Sequence, residues 1–508
     1  MWPRFQKSDL GMIAHYLGSM VLLIGVIMVF PLAVSVIMSE WNITGNYLIG
    51  AGAATVIGGL LRMCRISPGA LERRQAIAIT GLVWIVGAFV AAIPLWLSGH
   101  YLSFLDALFE GVSGLTSTGF TLCQDIDHLS TADNMWRFTM QFLGGQGVVV
   151  IALSLGLFSK VGSSFYTSEG RNEFVMPNIK KTARFIWQFS SIIVIFGTIL
   201  LFTVLLLYGF DPVRGFFHAL WVTIGAYDTA GFAPQSLSIM YYHSFPLEIF
   251  VMVLMMIGAV NFALYARIWK GGFRSTVREF TADIEIRTLA IWTVFILMAF
   301  VAAILAGSFL TDYSGLARRG VFTIVAATTN TGFQVLSTHQ INALLSSGAF
   351  FILVLALAIG GSSGSTAGGI KALRIGIIAK ATLARIKDVL APKSVRNTTG
   401  YTHLGRHLLS GEVTGAAMTI TILYIVTYVT GAIAGIVAGY EPISATMESV
   451  SATSNAGLSS GLIAPDIPVY LKIVYMLQMW FGRLEFIAFL AVIFCFFASL
   501  KPRRRAKL

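Results

Sequence analysis

The feature that most constrains this chain is a series of about ten long stretches that hold few or no charged side chains. A helix needs about 20 mostly apolar residues to cross the hydrocarbon core of a bilayer. Only 11% of the 508 residues are charged, whereas an ordinary soluble domain carries about 25%. The sequence therefore predicts an all-α membrane protein with about ten transmembrane helices and excludes a soluble multidomain protein. The stretches lie near 11–39, 46–61, 76–98, 136–159, 185–209, 246–266, 288–311, 347–380, 413–439 and 467–500.

The placement of basic side chains predicts the orientation in the membrane. The formal net charge is +12, and the connection 121–134 holds three Asp residues with no Lys or Arg. Because basic connections stay in the cytoplasm, we expect both termini and the basic connections there, with no nucleic-acid partner. The first stretch is too long for the apolar core of a signal peptide, so we expect it to remain a span. The basic connections are 62–74, 160–184, 267–287, 371–406 and the tail from 501.

Residues typical of catalysis or of metal centres show no matching pattern. Cys64, Cys123 and Cys495 are far apart, which excludes a disulfide framework and a cysteine-based metal site. The eight histidines have no HExxH-type spacing, and no nucleophile–base motif occurs. We therefore predict that the chain is not an enzyme.

A short loop motif recurs four times along the chain. Its glycines are 112, 101 and 125 residues apart, and each follows a segment too short to cross a bilayer, near 103–115, 212–226, 315–327 and 442–453. We expect these segments to be re-entrant, although small residues also serve close helix packing. Glu110 and Glu448 both precede their glycine by nine residues, and we expect them to brace the short helices. The loops read Thr116-Ser117-Thr118-Gly119, Asp228-Thr229-Ala230-Gly231, Thr329-Asn330-Thr331-Gly332 and Ser454-Asn455-Ala456-Gly457.

Four such loops around one axis predict a filter for a monovalent cation. Irregular backbone at membrane depth persists only where it is buried in protein or lines a water-filled path. Carbonyl oxygens replace the hydration shell of a dehydrated cation, and glycine permits the backbone angles that this requires. Asp228 is the charged exception, and two interpretations stay open. Its carboxylate either concentrates cations at the filter mouth or is hydrogen-bonded behind the filter.

A glycine-rich run lies inside the apolar stretch 347–380. Glycine costs about 1 kcal/mol relative to alanine within a helix, so the sequence predicts a broken span with a flexible loop. A simple kink or a packing site is the alternative. Lys371 follows the last glycine after one intervening residue, which does not fit a phosphate-binding loop. The run is Gly360-Gly361-Ser362-Ser363-Gly364-Ser365-Thr366-Ala367-Gly368-Gly369.

Arg483 lies within the last apolar stretch. A charge at that depth is costly, so it faces water or a partner. We expect it in the pore, where it would form an electrostatic barrier to cations. The alternatives are snorkelling or a structural pair with Glu485, although side chains two positions apart on a helix do not face each other.

These motifs together resemble the Trk/Ktr/HKT superfamily of potassium transport proteins, closest to the bacterial Trk (TrkH-type) membrane subunit. The resemblance covers nearly the whole chain. Besides the four loops, it rests on the runs Trp136-Arg137-Phe138, Gln141-Phe142-Leu143-Gly144-Gly145, Gly360 to Lys371, and Trp480-Phe481-Gly482-Arg483-Leu484-Glu485.

The resemblance implies an architecture of four linked span–pore–span units around a pseudo-fourfold pore. A two-span unit at 1–75 precedes pore units at 76–180, 181–280, 281–400 and 401–508. A glycine in all four loops implies potassium preference. Asp228 and the run Ser454-Asn455-Ala456 depart from the residues common in that family.

The resemblance also implies how transport is controlled. The run 360–369 would be an intramembrane gating loop below the filter, with Arg483 beside it. A membrane homodimer and a cytosolic ring of TrkA-like nucleotide-binding subunits are the expected partners, with 160–184, 267–287 and 380–411 as the docking surface. No cofactor is expected in this chain, potassium is the substrate, and the location is a bacterial plasma (inner) membrane. The alternative function is a secondary carrier of another small cation, such as sodium or ammonium.

Overall fold

The computed structural model describes residues 5–64, 72–147, 150, 179–270, 273–307, 313–392 and 398–500, and the structural statements here concern those residues. The first half contains α1 (Lys7–Ile27), α2 (Val29–Ile37), α3 (Trp41–Arg62), α4 (Arg73–Leu97), α5 (Phe104–Leu115), α6 (Thr131–Gln146), α7 (Ile179–Leu207), α8 (Pro212–Tyr227), a 3-10 turn (Ser238–Tyr242), α9 (Phe245–Gly258), α10 (Phe262–Lys270) and α11 (Phe273–Ala282). The second half contains α12 (Ile284–Gly307), α13 (Tyr313–Thr328), α14 (Thr338–Leu344), α15 (Ser347–Ala358), β1 (Ile359–Gly360), β2 (Ile370–Lys371), α16 (Ala372–Leu390), β3 (Gly400–Thr402), β4 (Arg406–Leu408), α17 (Gly411–Val437), α18 (Pro442–Thr453), α19 (Val469–Arg483) and α20 (Ile487–Leu500). Most of the predicted connection 160–184 and the tail from 501 lie outside the described residues.

Several helices are long and apolar enough to cross a bilayer, in agreement with an all-α membrane protein. A seventh span results if the pair α9 and α10, bent by 96°, counts as one. The count of about ten stays a prediction, because several of the expected spans are broken into shorter helices. The six spans are Asp9–Ile37, Trp41–Arg62, Arg74–Leu97, Lys181–Leu207, Ile284–Ala306 and Gly411–Val437.

Four short helices, α5, α8, α13 and α18, occur where the loop motifs predicted them. They have 12 to 16 residues, or about 18–24 Å at 1.5 Å per residue, which is less than the hydrocarbon core of about 30 Å. Their starts are set by capping side chains in three cases, Ser103, Asp211 and Glu441, each of which accepts from a backbone N–H of the first turn. Each short helix packs against the long helix before it: α5 on α4, α8 on α7, α13 on α12 and α18 on α17.

The helix after each loop stops at a similar distance from that loop. The breaks begin at Gly147, Ala259, Ile359 and Leu484, each 27 or 28 residues after the loop glycine. The predicted break within 347–380 is confirmed. The stretches 136–159, 246–266 and 467–500 also contain breaks, at Gly147, Ala259 and Leu484, which the sequence did not predict.

A tertiary contact accompanies the break after α9, and a left-handed backbone conformation accompanies the break after α19. The carbonyl of Ala259, at the turn between α9 and α10, accepts from the N–H of Ser362 at 2.8 Å. At the end of α19, Glu485 and Phe486 have φ of 52° and 64°, a left-handed conformation that ends a right-handed helix. Apolar composition alone carries no signal for either feature.

Two small pairs of strands flank α16. Strands β1 and β2 pair in parallel and close the run 360–369 into a loop, with Ile359 opposite Ile370. Strands β3 and β4 form an antiparallel hairpin, with Tyr401 opposite His407. Both pairs lie near the amino-terminal end of α12, because Ser363 and Leu404 donate to the carboxylates of Glu285 and Asp283.

Candidate functional site

The four loops share one backbone conformation. In each loop the residue two before the glycine has a left-handed φ of 47–55°, and the glycine has a φ of 70–95°. The N–H of the residue before the glycine bonds to the carbonyl five positions earlier at 2.8–2.9 Å. This Schellman-type bond ends each short helix. The left-handed residues are Ser117, Thr229, Asn330 and Asn455.

The loops meet one another in a closed cyclic order. A Cβ added to a loop glycine would overlap the carbonyl oxygen before the glycine of another loop. At Gly231 the same Cβ would also lie 3.3 Å from the Ala456 oxygen and 3.4 Å from the Thr118 oxygen. Positive φ and crowding therefore both require glycine at this position. The pairs are Gly119 with Ala230, Gly231 with Thr331, Gly332 with Ala456, and Gly457 with Thr118.

We call the carbonyl oxygens of Thr118, Ala230, Thr331 and Ala456 the carbonyl ring. All four glycines next to it line one cavity of about 120 Å³, which we call the vestibule. Its wall also includes the polar residues Gln235, Ser236, Gln334 and Ser459. Arg137, which is paired with Glu110, also lines the vestibule, and no carboxylate is among the described lining residues. The oxygens that this site offers a cation are therefore neutral, which suits a monovalent ion.

Hydroxyl and amide side chains hold the loops in place through hydrogen bonds. In the first and third loops, Thr116 pairs with Thr118 and Thr329 with Thr331, both at 2.8 Å between hydroxyl oxygens. In the third and fourth loops the amides donate to carbonyls of the following helix, Asn330 to Leu357 and Asn455 to Met479, both at 2.8 Å. Equivalent positions thus make equivalent bonds.

The second loop differs from the other three. The amide of Gln141 donates to the carbonyl of Ala230 at 2.5 Å, so this ring oxygen already accepts a side-chain hydrogen bond from the protein. The Thr229 hydroxyl lies 3.1 Å from that of Thr366. Gln141 belongs to the run that carried the family resemblance, but its role could not be predicted, because its partner is 89 positions away.

Asp228 is fully buried behind the second loop and is not among the residues lining the vestibule. Its Oδ1 accepts from the amide of Gln146 at 2.8 Å. The carboxylate also packs against Gly145, where an added Cβ would lie 2.7 Å from the carboxyl carbon. This position favours the interpretation of Asp228 as a carboxylate hydrogen-bonded behind the filter over that of a cation-concentrating group at the filter mouth.

Glu110 and Glu448 hold the returning part of their own loops. Glu110 accepts from the backbone N–H of Leu122 at 3.2 Å, and Glu448 accepts from that of Ser460 at 2.7 Å. Both N–H groups belong to the third residue after the loop glycine. The two carboxylates therefore make matching contacts in the first and fourth loops, as the expected bracing role requires.

Arg137 is a site residue to which the sequence assigned no role. It is fully buried and forms a 2.8 Å ion pair with Glu110. Its guanidinium also donates to the carbonyl of Ala233 at 3.3 Å and lies 4.3 Å from the ring centre of Phe232. Arg137 thereby joins the brace of the first loop to the return of the second.

The run 360–369, which we call the intramembrane loop, lies directly against three of the four filter loops. The Thr366 hydroxyl donates to the carbonyls of Tyr227 and Gly258 at 3.0 and 2.8 Å. A Cβ added to Gly368 would overlap the Ser454 carbonyl, and one added to Gly369 would lie 3.0 Å from the Asn330 side chain. The loop is thus tied to the ends of the second, third and fourth short helices.

Arg483 connects the intramembrane loop to the first unit. Its guanidinium donates to the carbonyl of Thr366 at 3.1 Å and to those of Gly144 and Gly145. The alternative pair with Glu485 is not formed, because Glu485 pairs with Arg374 instead. The side chain therefore bridges the space between α6 and the intramembrane loop.

The chain is similar to known cation transport proteins. Residues 46–499 match the family model described as TrkH, cation transport protein. The chain is 31% identical over 490 residues to an uncharacterised cation transporter of Methanocaldococcus jannaschii, with 96% of each chain covered. It is 26% identical over 489 residues to the Trk system potassium uptake protein TrkH of Halomonas elongata, covering 94% of this chain and 97% of that one. The crystal structure of the potassium transporter TrkH from Vibrio parahaemolyticus has the same fold, with a TM-score of 0.81 at 23% identity, covering 98% of this chain and 100% of that one.

Proposed function

Because the chain belongs to the TrkH family of cation transport proteins, we propose that it conducts potassium ions across the membrane through the carbonyl ring. The family consists of transporters rather than enzymes. The long apolar helices of this chain make it a multi-pass membrane protein. The observation that carries the proposal is the cyclic contact of each loop glycine with the ring carbonyl of another loop.

The proposed selectivity follows from the chemistry of the ring. Carbonyl oxygens replace the water lost by a dehydrated monovalent cation. The short helices also direct their carboxyl-terminal ends, which are partly negative, toward the loops. The relative from Halomonas elongata is described as a potassium uptake protein, and the structure from Vibrio parahaemolyticus as that of a potassium transporter, which supports potassium over sodium or ammonium.

The proposed architecture is four span–pore–span units at 76–180, 181–280, 281–400 and 401–508, preceded by the two-span unit 1–75. The recurring bond pattern and the breaks 27 or 28 residues after each glycine support it. The short helices would then be re-entrant, entering and leaving on the vestibule side.

The proposed gate consists of the intramembrane loop and Arg483. Opening requires the loop to leave its contacts with Tyr227, Gly258 and Ser454. The charge of Arg483 adds an electrostatic barrier in the low-dielectric interior. Neither element contributes a residue to the described lining of the vestibule.

The proposed setting is a bacterial plasma membrane. Both termini would lie on the cytoplasmic side and the vestibule on the opposite side. The chain would form a homodimer and be controlled by a cytosolic ring of nucleotide-binding subunits. The basic connections 160–184, 267–287 and 380–411 are the proposed docking surface, and orientation by positive charge accounts for part of their composition.

Flux of rubidium and sodium into liposomes tests the filter. Gly119→Ser places a side chain against the Ala230 carbonyl and is expected to reduce the preference for rubidium over sodium by about tenfold or more, equivalent to about 1.4 kcal/mol. Gly99→Ser is the matched control, since Gly99 also has positive φ, at 80°, but no atom lies within 4 Å of an added Cβ. An unchanged preference in Gly119→Ser would contradict the proposal.

A further inference from the structure

Three buried side chains converge at the amino-terminal end of α12, away from the filter. The Nδ1 atom of His403 lies 3.1 Å from a carboxylate oxygen of Asp283 and 3.9 Å from one of Glu285. Ligand atoms of all three residues lie within 4.8 Å of one another. In the described part of the chain, this is the one group of three such side chains with that geometry.

The surrounding backbone holds these side chains in place. The N–H of Glu285 donates to Asp283 at 2.8 Å, and that of Leu404 donates to the same carboxylate at 3.2 Å. Leu404 has a left-handed φ of 50°, which turns the hairpin β3–β4 so that His403 points inward. Such outer contacts orient ligands in metal sites.

Helix capping explains only part of this arrangement. Asp283 precedes α12 and accepts from the N–H of Glu285, as a capping residue does. Capping does not require a buried second carboxylate or an imidazole from a hairpin 120 positions away.

We propose that Asp283, Glu285 and His403 form a binding site for one first-row divalent cation of the zinc or manganese type. Ligands about 2.0–2.2 Å from a tetrahedral zinc are about 3.4 Å from one another, close to the separations of 3.1 and 3.9 Å. An imidazole with two carboxylates favours zinc or manganese over magnesium or calcium, which prefer oxygen ligands alone.

This site is connected to the intramembrane loop. The Oε1 atom of Glu285 accepts from both the N–H and the hydroxyl of Ser363, the latter at 2.8 Å. A cation held by Glu285 would fix the carboxylate that anchors this loop. The consequence for flux rests on the proposed gate, whereas the binding site does not.

Zinc binding to the purified full chain in detergent tests the site without any transport measurement. The parent is expected to bind one Zn²⁺ per chain in titration calorimetry. His403→Ala and Asp283→Asn should weaken binding by about 100-fold or more. Asp283→Asn keeps a good capping residue, so it remains informative if His403→Ala fails to fold.

His128→Ala is the matched control, because His128 forms an exposed 2.8 Å pair with Asp125 that belongs to no group of three such ligands among the described residues. It should bind Zn²⁺ like the parent. The absence of saturable binding in the parent, or equal binding in Asp283→Asn, would overturn the site and leave a structural ion pair.

The liposome assay then tests the link between the cation site and the intramembrane loop: Zn²⁺ should change rubidium flux less in Ser363→Ala than in the parent. Equal responses would overturn the link alone, and absent flux in the parent would instead contradict the proposed function.

Discussion

Glu110 and Arg137 form a 2.8 Å ion pair in which both side chains are fully buried. The pair joins α5 to α6 behind the first filter loop. Removing one partner of a buried pair leaves an uncompensated charge and costs about 3–5 kcal/mol. We therefore expect Glu110→Gln to lower the thermal unfolding temperature of the protein in detergent clearly.

The chain offers a matched control for that measurement. Arg267 and Glu279 form a pair at 3.4 Å whose side chains are 45% and 54% exposed. Exposed pairs contribute about 0–1 kcal/mol, so Glu279→Gln should leave the unfolding temperature nearly unchanged. Similar shifts in both variants would argue against the bracing role of Glu110.

Asp228→Asn tests where the second-loop carboxylate acts. Asparagine keeps the shape of the side chain and an oxygen that accepts from Gln146. Because Asp228 does not line the vestibule, we expect rubidium flux at low rubidium concentration to change by less than about threefold, under about 0.7 kcal/mol. A large loss confined to low ion concentration would indicate a cation-concentrating role after all.

Arg483→Gln tests the barrier. Glutamine retains a hydrogen-bond donor toward Thr366 and Gly144 but removes the charge. We expect the basal leak of rubidium to rise several-fold, because a buried charge repels cations strongly where water is scarce. Arg214→Ala provides the control, since Arg214 is a surface residue that contacts Tyr241, and should leave the leak unchanged. If Arg483→Gln leaks no more rubidium than the parent, the proposal that Arg483 is an electrostatic barrier is contradicted.

The sequence predicts those parts of the site that depend on local chain properties. The four loops, the short helices before them and the break at 360–369 follow from glycine spacing, segment length and helix propensity. Ser117 and its three equivalents also adopt left-handed φ where the Schellman bond ends each helix. The glycine spacing did not predict this conformation at residues that carry a Cβ.

The remaining features depend on contacts between distant positions. The helix breaks at Gly147, Ala259 and Leu484 lie in apolar stretches that read as continuous spans, and tertiary bonds such as Ser362 to Ala259 compete with the helix. The partners of Arg137 and the orientation of Asp228 are likewise set by residues 27 and 82 positions away. No local pattern records these pairings.

Anomalous scattering from rubidium or thallium in crystals of the full chain tests the central claim most directly. We predict an ordered ion on the axis of the carbonyl ring, within about 3 Å of the oxygens of Thr118, Thr331 and Ala456, with a weaker contact to Ala230 because Gln141 also bonds that oxygen. Ordered ions located elsewhere in the protein, with none at the ring, would contradict the account.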